Sequence, residues 1–254
     1  MMKEKNFEYS PELYDLQMNW PQRLSKEKDF FEKIINERKV KKILEIGGGI
    51  GRHSQMFSEI ADSVTFMEPS EDMLQYAKAN IIKSENIKLI NGGFEDLDSL
   101  VFENFDMITC LGNTLPILES RKNVKMALKQ TRKKLVKGGL AIFQFLNFEP
   151  KIMEQNRFYA PRIFKKDNKK YIFLKHFAAE KVKTRVDFMI IEMDSDDNIL
   201  NFHNRSTFLC TLRKNLFLKM ACNSGFKKAE LLGTGGTEEF DKNKHVSLYA
   251  LLYN

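Results

Sequence analysis

The chain has 254 residues, of which 43% are hydrophobic and 30% charged, a composition typical of an ordinary folded protein and unlike that of disordered or collagen-like chains. Its longest apolar stretch is far shorter than the ~20 residues that cross a bilayer, and its first residues lack the apolar core of a secretory signal, so we expect a cytoplasmic protein without a membrane span. The net charge of +7 comes from residues 151–254, which hold 19 basic and 12 acidic residues.

The first predicted elements, over residues 1–38, are an arm and a helix. The arm is rich in aromatic residues and is closed by Pro21-Gln22-Arg23; its aromatic members are Tyr9, Tyr14 and Trp20. We expect it to cover the sheet or to form a lid over a site. Apolar side chains at helical spacing then predict a helix over Glu27–Arg38.

Residues 39–150 alternate short apolar runs with helix-length segments, an order that predicts a parallel sheet with helices on both faces. The predicted strands are Ile43–Ile46, Ser63–Met67, Ile87–Ile90, Phe105–Cys110 and Leu140–Leu146. The clearest predicted helix runs from Ser120 to Val136 and is expected to end at Gly138-Gly139.

The pattern changes in residues 151–224, where we predict a β-rich insertion. Its strands are joined by polar turns and are expected at Arg162–Phe164, Tyr171–Ala178, Thr184–Met193 and Ile199–Leu209. A helix over Leu212–Ser224 follows. Residues 225–254 then supply two last strands, Lys228–Leu232 and Val246–Tyr253.

The most informative motif is the turn after the first predicted strand, Glu45-Ile46-Gly47-Gly48-Gly49-Ile50-Gly51. Glycines at positions 47, 49 and 51 allow a tight bend and a close approach to a ligand, and the helix that follows offers free N–H groups. A dinucleotide fingerprint needs a glycine where Arg52 or Ser54 stands, which disfavours a nicotinamide cofactor.

The pattern E-x-G-x-G-x-G resembles motif I of the class I S-adenosylmethionine-dependent methyltransferases, and Glu45 before the turn fits that family. The segment Leu111-Gly112-Asn113 after the fourth strand resembles the narrower group of glycine and sarcosine N-methyltransferases. The resemblance implies an α/β fold with a doubly wound, mostly parallel, seven-stranded Rossmann-like sheet whose last strand is reversed, and an antiparallel β-rich lid.

The same resemblance implies a binding site for S-adenosylmethionine and its product S-adenosylhomocysteine. Glu68, at the end of the second strand, would bind the ribose hydroxyls, and the loop Gly93-Phe94-Glu95 would hold the adenine, with Phe94 as its apolar wall. Arg23 would bind the cofactor's carboxylate. The complete set of expected cofactor residues is Arg23, Glu45, Gly47, Gly49, Gly51, Glu68, Pro69, Met73, Gly93, Phe94, Glu95, Leu111 and Asn113.

The methyl acceptor is expected to be a small molecule, an amine or a carboxylate-bearing metabolite. Asn147 would face it by the same resemblance, and arginine side chains on the lid suit a carboxylate or phosphate. The expected acceptor residues are Tyr14, Asn147, Tyr159, Arg185 and Arg205. A general base is needed only if the acceptor must lose a proton, and the candidates are His53, Tyr14, Tyr159, His176 and His203.

Other functions remain open at this point. A cofactor-binding protein without catalysis, an RNA methyltransferase and a nicotinamide oxidoreductase each fit part of the pattern. Segments that act on flipped bases are missing from the sequence, which disfavours a nucleic-acid substrate. The three cysteines form no C-x-x-C pair, so we expect buried thiols and no metal site. A homodimer is possible.

Overall fold

The computed structural model describes residues 10–254, so Tyr9 and the start of the predicted arm lie outside the described residues. In this part of the chain, seven strands form one sheet in the order β10-β11-β5-β4-β1-β2-β3. These strands are β1 (Lys42–Ile46), β2 (Ser63–Glu68), β3 (Ile87–Asn91), β4 (Phe105–Cys110), β5 (Leu135–Leu146), β10 (Lys228–Leu232) and β11 (Ser247–Tyr253). Strand β11 runs antiparallel to both of its neighbours, which confirms the predicted fold class with its reversed last strand.

Helices cover both faces of this sheet, each beside its own apolar cluster. They are α1 (Pro11–Gln17), α2 (Trp20–Arg38), α3 (Arg52–Ser58), α4 (Glu71–Asn80), α5 (Leu97–Leu100), α6 (Thr114–Ile117), α7 (Arg121–Lys133), α8 (Pro150–Gln155) and α9 (Lys214–Asn223). No helix among residues 10–254 is both long and apolar enough to span a bilayer.

A second sheet lies over the carboxyl end of the first and has the order β6-β7-β8-β9. Its antiparallel strands are β6 (Phe158–Lys166), β7 (Lys169–Ala179), β8 (Lys183–Met193) and β9 (Ile199–Cys210). This is the predicted β-rich insertion, and all four strands are longer than the sequence indicated. Buried side chains such as Phe177 and Val186 join its inner face to the core of the large sheet.

Helix α2 begins seven residues earlier than predicted. Asn19 caps it by accepting a hydrogen bond from the backbone N–H of Gln22 at 3.3 Å, and Pro21 stands in its first turn, where a missing N–H costs nothing. Pro21-Gln22-Arg23 therefore starts a helix instead of closing an arm. As a result, Trp20 and Arg23 stand on a rigid element.

Two other expectations were wrong. Helix α7 ends at Lys133, and Gly138-Gly139 lies inside β5, where Gly138 N–H donates to the carbonyl of Asn254 at 3.2 Å. Glycine there serves a strand irregularity and not a helix end. Cys222 is exposed near the end of α9, while Cys110 and Cys210 are buried as expected.

Candidate active site

The glycine turn between β1 and α3 needs glycine for two different reasons. Gly47, Gly49 and Gly51 have positive φ values of 65°, 60° and 79°, a conformation that strains other residues. A Cβ on Gly47 would also lie 2.1 Å from Cγ2 of Thr114. The turn and the loop after β4 are therefore packed in direct contact.

Glu68 ends β2 beside this turn. Its carboxylate accepts hydrogen bonds from the backbone N–H groups of Gly49, at 2.8 Å, and Ser70, at 2.9 Å. Burial raises the pKa of Glu68, although the bonds from Ser70 and Gly49 act in the opposite direction. The carboxylate is thus held against the glycine turn, where the expected ribose role would require it.

The loop expected to hold adenine is shaped by Asp96, whose Oδ2 accepts from the N–H of Gly93 at 2.9 Å. Phe94 is only 2% exposed and belongs to the buried core with Leu97. Its ring therefore cannot serve as the expected apolar wall in this conformation, because the core already surrounds it. The remaining residues of the expected adenine and ribose region lie at the surface or partly so, namely exposed Glu95, exposed Pro69 and half-buried Met73.

The loop after β4 is fixed to the end of β5. Gly112 N–H donates to Oε1 of Gln144 at 2.7 Å, and Oδ1 of Asn113 accepts from the N–H of Leu146 at 2.7 Å. Asn113 adopts a left-handed conformation with φ of 73°. Its amide oxygen thus holds the loop in place, while Leu111 and Gly112 face the glycine turn.

Helix α1 lies across the glycine turn. A Cβ on Gly49 would be 3.7 Å from the ring of Tyr14. Asp15 anchors the helix: its carboxylate accepts from Nη2 of Arg52 at 2.8 Å and from the hydroxyl of Tyr76 at 3.0 Å. Of the two roles considered for the arm, its described part therefore covers a candidate site.

A buried polar network adjoins the turn. The carboxylate of Glu27 accepts from Nε of Arg23 at 3.2 Å, pairs with Nε2 of His53 at 2.7 Å and accepts from the hydroxyl of Tyr249. Burial acts to raise the pKa of Glu27, but these partners outweigh it and bring the value to about 2. Glu27 is therefore an anion that attracts protons poorly.

His53 is enclosed by two carboxylates. Its Nδ1 lies 3.7 Å from Oε1 of Glu45, which also accepts from the hydroxyl of Ser54. Burial raises the pKa of Glu45, although His53 and Ser54 favour its charged form. Since both ring nitrogens of His53 face carboxylates, its geometry suits positioning better than the proposed base role.

Trp20 is a candidate that sequence reasoning missed. Its Nε1 is buried and has no hydrogen-bond acceptor among the described residues, although the ring lies under the Arg23 guanidinium, 5.3 Å from ring centroid to Cζ. A buried donor without a partner is costly. An anionic ligand beside Arg23 would supply the acceptor. In the sequence, the signal for this role was an indole N–H donor three residues before Arg23.

These residues surround two adjacent cavities. The smaller, the Gly-turn pocket, has a volume of about 30 Å³ and is lined by Tyr14, Trp20, Arg23, Glu45, Gly47, Gly48, His53, Leu111, Gly112 and Thr114. The larger, the lid cavity, has a volume of about 420 Å³ and lies between α1, α2, the end of β5 and the second sheet. Tyr14, Arg23 and Gly112 line both cavities, so the two adjoin at these residues.

The structure brings only part of the expected acceptor set together. Tyr14 and Tyr159 line the lid cavity. Asn147 does not: its Nδ2 donates to the carbonyls of Lys242, at 2.9 Å, and His245, at 2.7 Å, so the amide holds the chain before β11. That bonding corrects its expected position facing the acceptor.

The two arginines expected to bind an anion also lie elsewhere. Arg185 pairs with Asp187 at 3.2 Å on the outer face of the second sheet, where Asp187 also holds His176. Arg205 is exposed on β9. The cations that do line the lid cavity from this sheet are Arg162 and Lys175. His203 faces Glu192 at 3.9 Å and lines neither cavity.

Residues 43–139 match the family model of a methyltransferase domain. A curated relative, the glycine/sarcosine N-methyltransferase of Aphanothece halophytica, is 28% identical over 139 residues, which cover 54% of this chain and 52% of the relative. The chain spans about half the length of the first curated relatives that it matches.

Solved structures share the fold over nearly the whole chain. An S-adenosylmethionine-dependent methyltransferase from Clostridium acetobutylicum has a TM-score of 0.75 at 15% identity, covering 96% of this chain and 95% of its own. A sugar N-methyltransferase from Streptoalloteichus also reaches 0.75, at 14% identity, covering 98% and 94%. At these identities the likeness concerns the fold.

Proposed function

We propose that this chain, a class I S-adenosylmethionine-dependent methyltransferase, transfers a methyl group to an amine nitrogen of a small molecule in the lid cavity. The observation that carries the proposal is the junction of the two cavities at Tyr14, Arg23 and Gly112. In-line transfer needs the two reacting atoms in contact, and this junction is where the described residues allow it. The named relatives are N-methyltransferases of glycine or sarcosine and of a sugar, which supports a small amine as the acceptor.

The glycine turn and the residues around it suit the cofactor chemically. The Glu68 carboxylate offers acceptors to ribose hydroxyls, and Arg23 with the unpartnered Nε1 of Trp20 offers two donors to a carboxylate. The glycine turn lets a ligand approach the backbone closely. When bound, S-adenosylmethionine supplies an electrophilic methyl group on a sulfonium.

Nitrogen suits this site better than oxygen because the described groups on the wall of the lid cavity are poor proton acceptors at pH 7: Lys175, with a pKa of about 8, is mostly protonated there. The sole carboxylate on its wall is Glu27, with a pKa of about 2. Burial raises the pKa of the Tyr14 and Tyr159 hydroxyls, which keeps both phenols protonated. A neutral amine brings its own lone pair and needs no base, whereas an alcohol must lose a proton.

Catalysis then depends on positioning the cofactor and the acceptor. Orientation of two bound reactants supplies up to ~7–11 kcal/mol. Wall cations such as Arg162 and Lys175 disfavour a bound ammonium, which favours the reactive neutral amine.

The test has two stages. Calorimetric titration with S-adenosylhomocysteine and with NAD distinguishes a methyltransferase from an oxidoreductase, and binding of the first alone is expected. Single-turnover assays then compare primary amines with alcohols of the same carbon skeleton, with mass spectrometry to locate the added methyl group. Methylation of the alcohols alone contradicts the nitrogen assignment, and cofactor binding without transfer to any acceptor indicates a binding protein.

A homodimer also belongs to this proposal. Ile163, Ile172, Ile191 and Phe202 are direct cross-strand neighbours and form an apolar row across the outer face of the second sheet. Ile163 is 64% and Phe202 60% exposed. A second copy would cover this row, and light scattering of wild type and Phe202→Asp tests it: a wild-type monomer contradicts the dimer.

A further inference from the structure

The wall of the lid cavity is strongly cationic. It carries the side chains of Arg23, Lys26, Arg162 and Lys175 against one carboxylate, Glu27. Arg23 is neutralised by Glu27 through its ion pair at 3.2 Å. The other three have no carboxylate within salt-bridge distance among residues 10–254. The cavity therefore has an excess of positive charge that the described chain does not balance.

Lys175 is the most unusual of these cations. It lies on β7 between Tyr159 of β6 and Phe188 of β8, with Nζ 5.1 Å from the centroid of the Phe188 ring. Burial lowers the pKa of Lys175 to about 8, and the charges of Arg162 and Arg23 act in the same direction. An apolar side chain would pack between these aromatic residues at lower cost, so a retained ammonium points to a ligand.

Arg162 stands beside it and is held in place. Its Nη1 donates to the backbone carbonyl of Gln17 at 2.9 Å, which ties β6 to the end of α1. Only one of its five N–H groups is used in this bond, so the guanidinium retains donors for an anion. The two cations also affect each other, because each lowers the stability of the other's charge until an anion binds.

The position of this pair separates it from the transfer centre. Arg162, Lys175 and Tyr159 line the lid cavity but not the Gly-turn pocket. The junction at Tyr14, Arg23 and Gly112 is formed by α1, α2 and the loop after β4. An acceptor that reaches both therefore needs a spacer between its amino group and its anion.

We propose that Lys175 and Arg162 form an anion subsite and that the acceptor is an amine larger than glycine, with a carboxylate or phosphate at its far end. The inference rests on the proposed function. The cavity volume of about 420 Å³ supports the size, because it equals roughly a dozen water volumes of ~30 Å³ each. Glycine would fill only a small part of this space and would leave the subsite or the junction unfilled.

Matched pairs of acceptors test whether the subsite binds an anion and whether that anion is a carboxylate or a phosphate. The carboxylate arm compares 4-aminobutyrate with 4-aminobutanamide, and the phosphate arm compares 3-aminopropyl phosphate with 3-aminopropanol; glycine tests the size. Binding to the protein saturated with S-adenosylhomocysteine is measured by calorimetry, and kcat and KM by methylation. Wild type is expected to bind the anionic member of at least one pair about tenfold or more tightly than its neutral partner and to bind glycine poorly.

Variants separate the subsite from a structural role. Lys175→Met should remove most of this discrimination while leaving the neutral partner's affinity unchanged, and Lys175→Arg should restore it. Lys166→Met, an exposed lysine on β6 outside the cavity, is the control with the same charge change and should behave as wild type. Equal affinity for anionic and neutral members in wild type, or tighter binding of glycine than of the longer amines, overturns the proposal.

Failure of the anion-subsite proposal can be told apart from failure of the proposed function. If S-adenosylhomocysteine does not bind, or no amine is methylated, the methyltransferase proposal fails; the calorimetric comparison of Lys175→Met with Lys166→Met, made without S-adenosylhomocysteine, still decides whether the subsite binds anions. If Lys175→Met loses affinity for charged and neutral members equally, the lysine is structural and the subsite is rejected.

Discussion

The carboxylate of Asp15 on α1 is joined to the guanidinium of Arg52 on α3 by two contacts from Nη2, at 2.8 and 3.0 Å. This pair fastens α1 across the glycine turn, and the side chains of both residues are partly shielded from water. A ligand that enters or leaves the Gly-turn pocket must pass the helix. We therefore expect the pair to affect the rate of ligand entry and release more than the shape of the pocket.

The first prediction follows from this fastening. Asp15→Asn should raise the dissociation rate of S-adenosylhomocysteine by about threefold to tenfold, because an ion pair becomes a weaker hydrogen bond between the charged guanidinium and a neutral amide. The sole tryptophan, Trp20, lines the pocket, so stopped-flow fluorescence can follow the release. Glu12→Gln on the exposed side of α1 is the control. An unchanged rate for Asp15→Asn means that α1 does not gate the pocket.

A second prediction concerns the contact between Gly47 and Thr114. Gly47→Ala should destabilise the protein by about 1–3 kcal/mol and weaken cofactor binding, because the new methyl group meets a Cγ2 at 2.1 Å and φ is 65°. Gly112→Ala, with φ of 72° and open space around it, should show only the smaller backbone cost. Addition of Thr114→Ser removes that Cγ2 and should restore part of the loss in Gly47→Ala. No recovery in the double variant would show that backbone strain alone is responsible.

The hydrogen bond from Tyr249 to Glu27 leads to a third prediction. The pKa of Glu27 is lowered in the folded protein from 4.5 to about 2, so its contribution to stability is present above about pH 4.5 and is lost as the pH falls toward 2. Tyr249→Phe should lower the free energy of unfolding at pH 7 by about 1.5–3 kcal/mol, the range for a bond to a charged group. Loss of the bond raises the folded-state pKa of Glu27, so in the variant the acid-induced loss of this contribution should also be complete at a higher pH.

Tyr253→Phe provides the comparison for this prediction. Its hydroxyl donates to Glu230 at 2.9 Å, and Glu230 is 40% exposed, so water replaces the lost bond. Denaturant unfolding at pH 7 and pH 3 should show a clearly smaller effect than for Tyr249→Phe. Equal effects would mean that the buried network adds nothing beyond an ordinary surface bond.

A fourth prediction uses the unfavourable burial of Lys175. Its pKa falls from 10.5 to about 8 on folding, so the folded protein binds fewer protons between these values and the destabilisation is fully present below about pH 8. Lys175→Met should therefore raise the free energy of unfolding at pH 7 by about 1–3 kcal/mol, with the gain shrinking toward pH 10. Thermal or denaturant unfolding measures it against Lys166→Met. A loss of stability at pH 7 would mean that the ammonium is structurally needed.

The sequence predicted the elements whose signals are local. The glycine turn and the apolar strands β1 to β5 follow from residue type and order, and the position of Glu68 follows from the end of β2. The reversed last strand was implied only by the family resemblance. The start of α2 was missed although Asn19 and Pro21 carry its signal, because the apolar periodicity begins only near Phe30. That miss hid the pairing of Trp20 with Arg23.

The anion subsite could not be predicted from the sequence, for a different reason. Side chains alternate between the two faces of a strand, so one residue of register decides which cations face the cavity. An irregularity in β6 between Tyr159 and Arg162 shifts that register, and the pairing of Arg185 with Ala178 places the expected arginine on the outer face. Neither register nor irregularity has a signature in the sequence.

The central claim is that the Glu68 carboxylate beside the glycine turn binds the cofactor's ribose. Calorimetric titration of Glu68→Ala with S-adenosylhomocysteine tests it most directly, with Glu71→Ala on the exposed start of α4 as control and circular dichroism to confirm folding. We predict an affinity loss of about tenfold or more for Glu68→Ala and none for the control. An affinity equal to that of wild type in a folded Glu68→Ala protein would contradict the account.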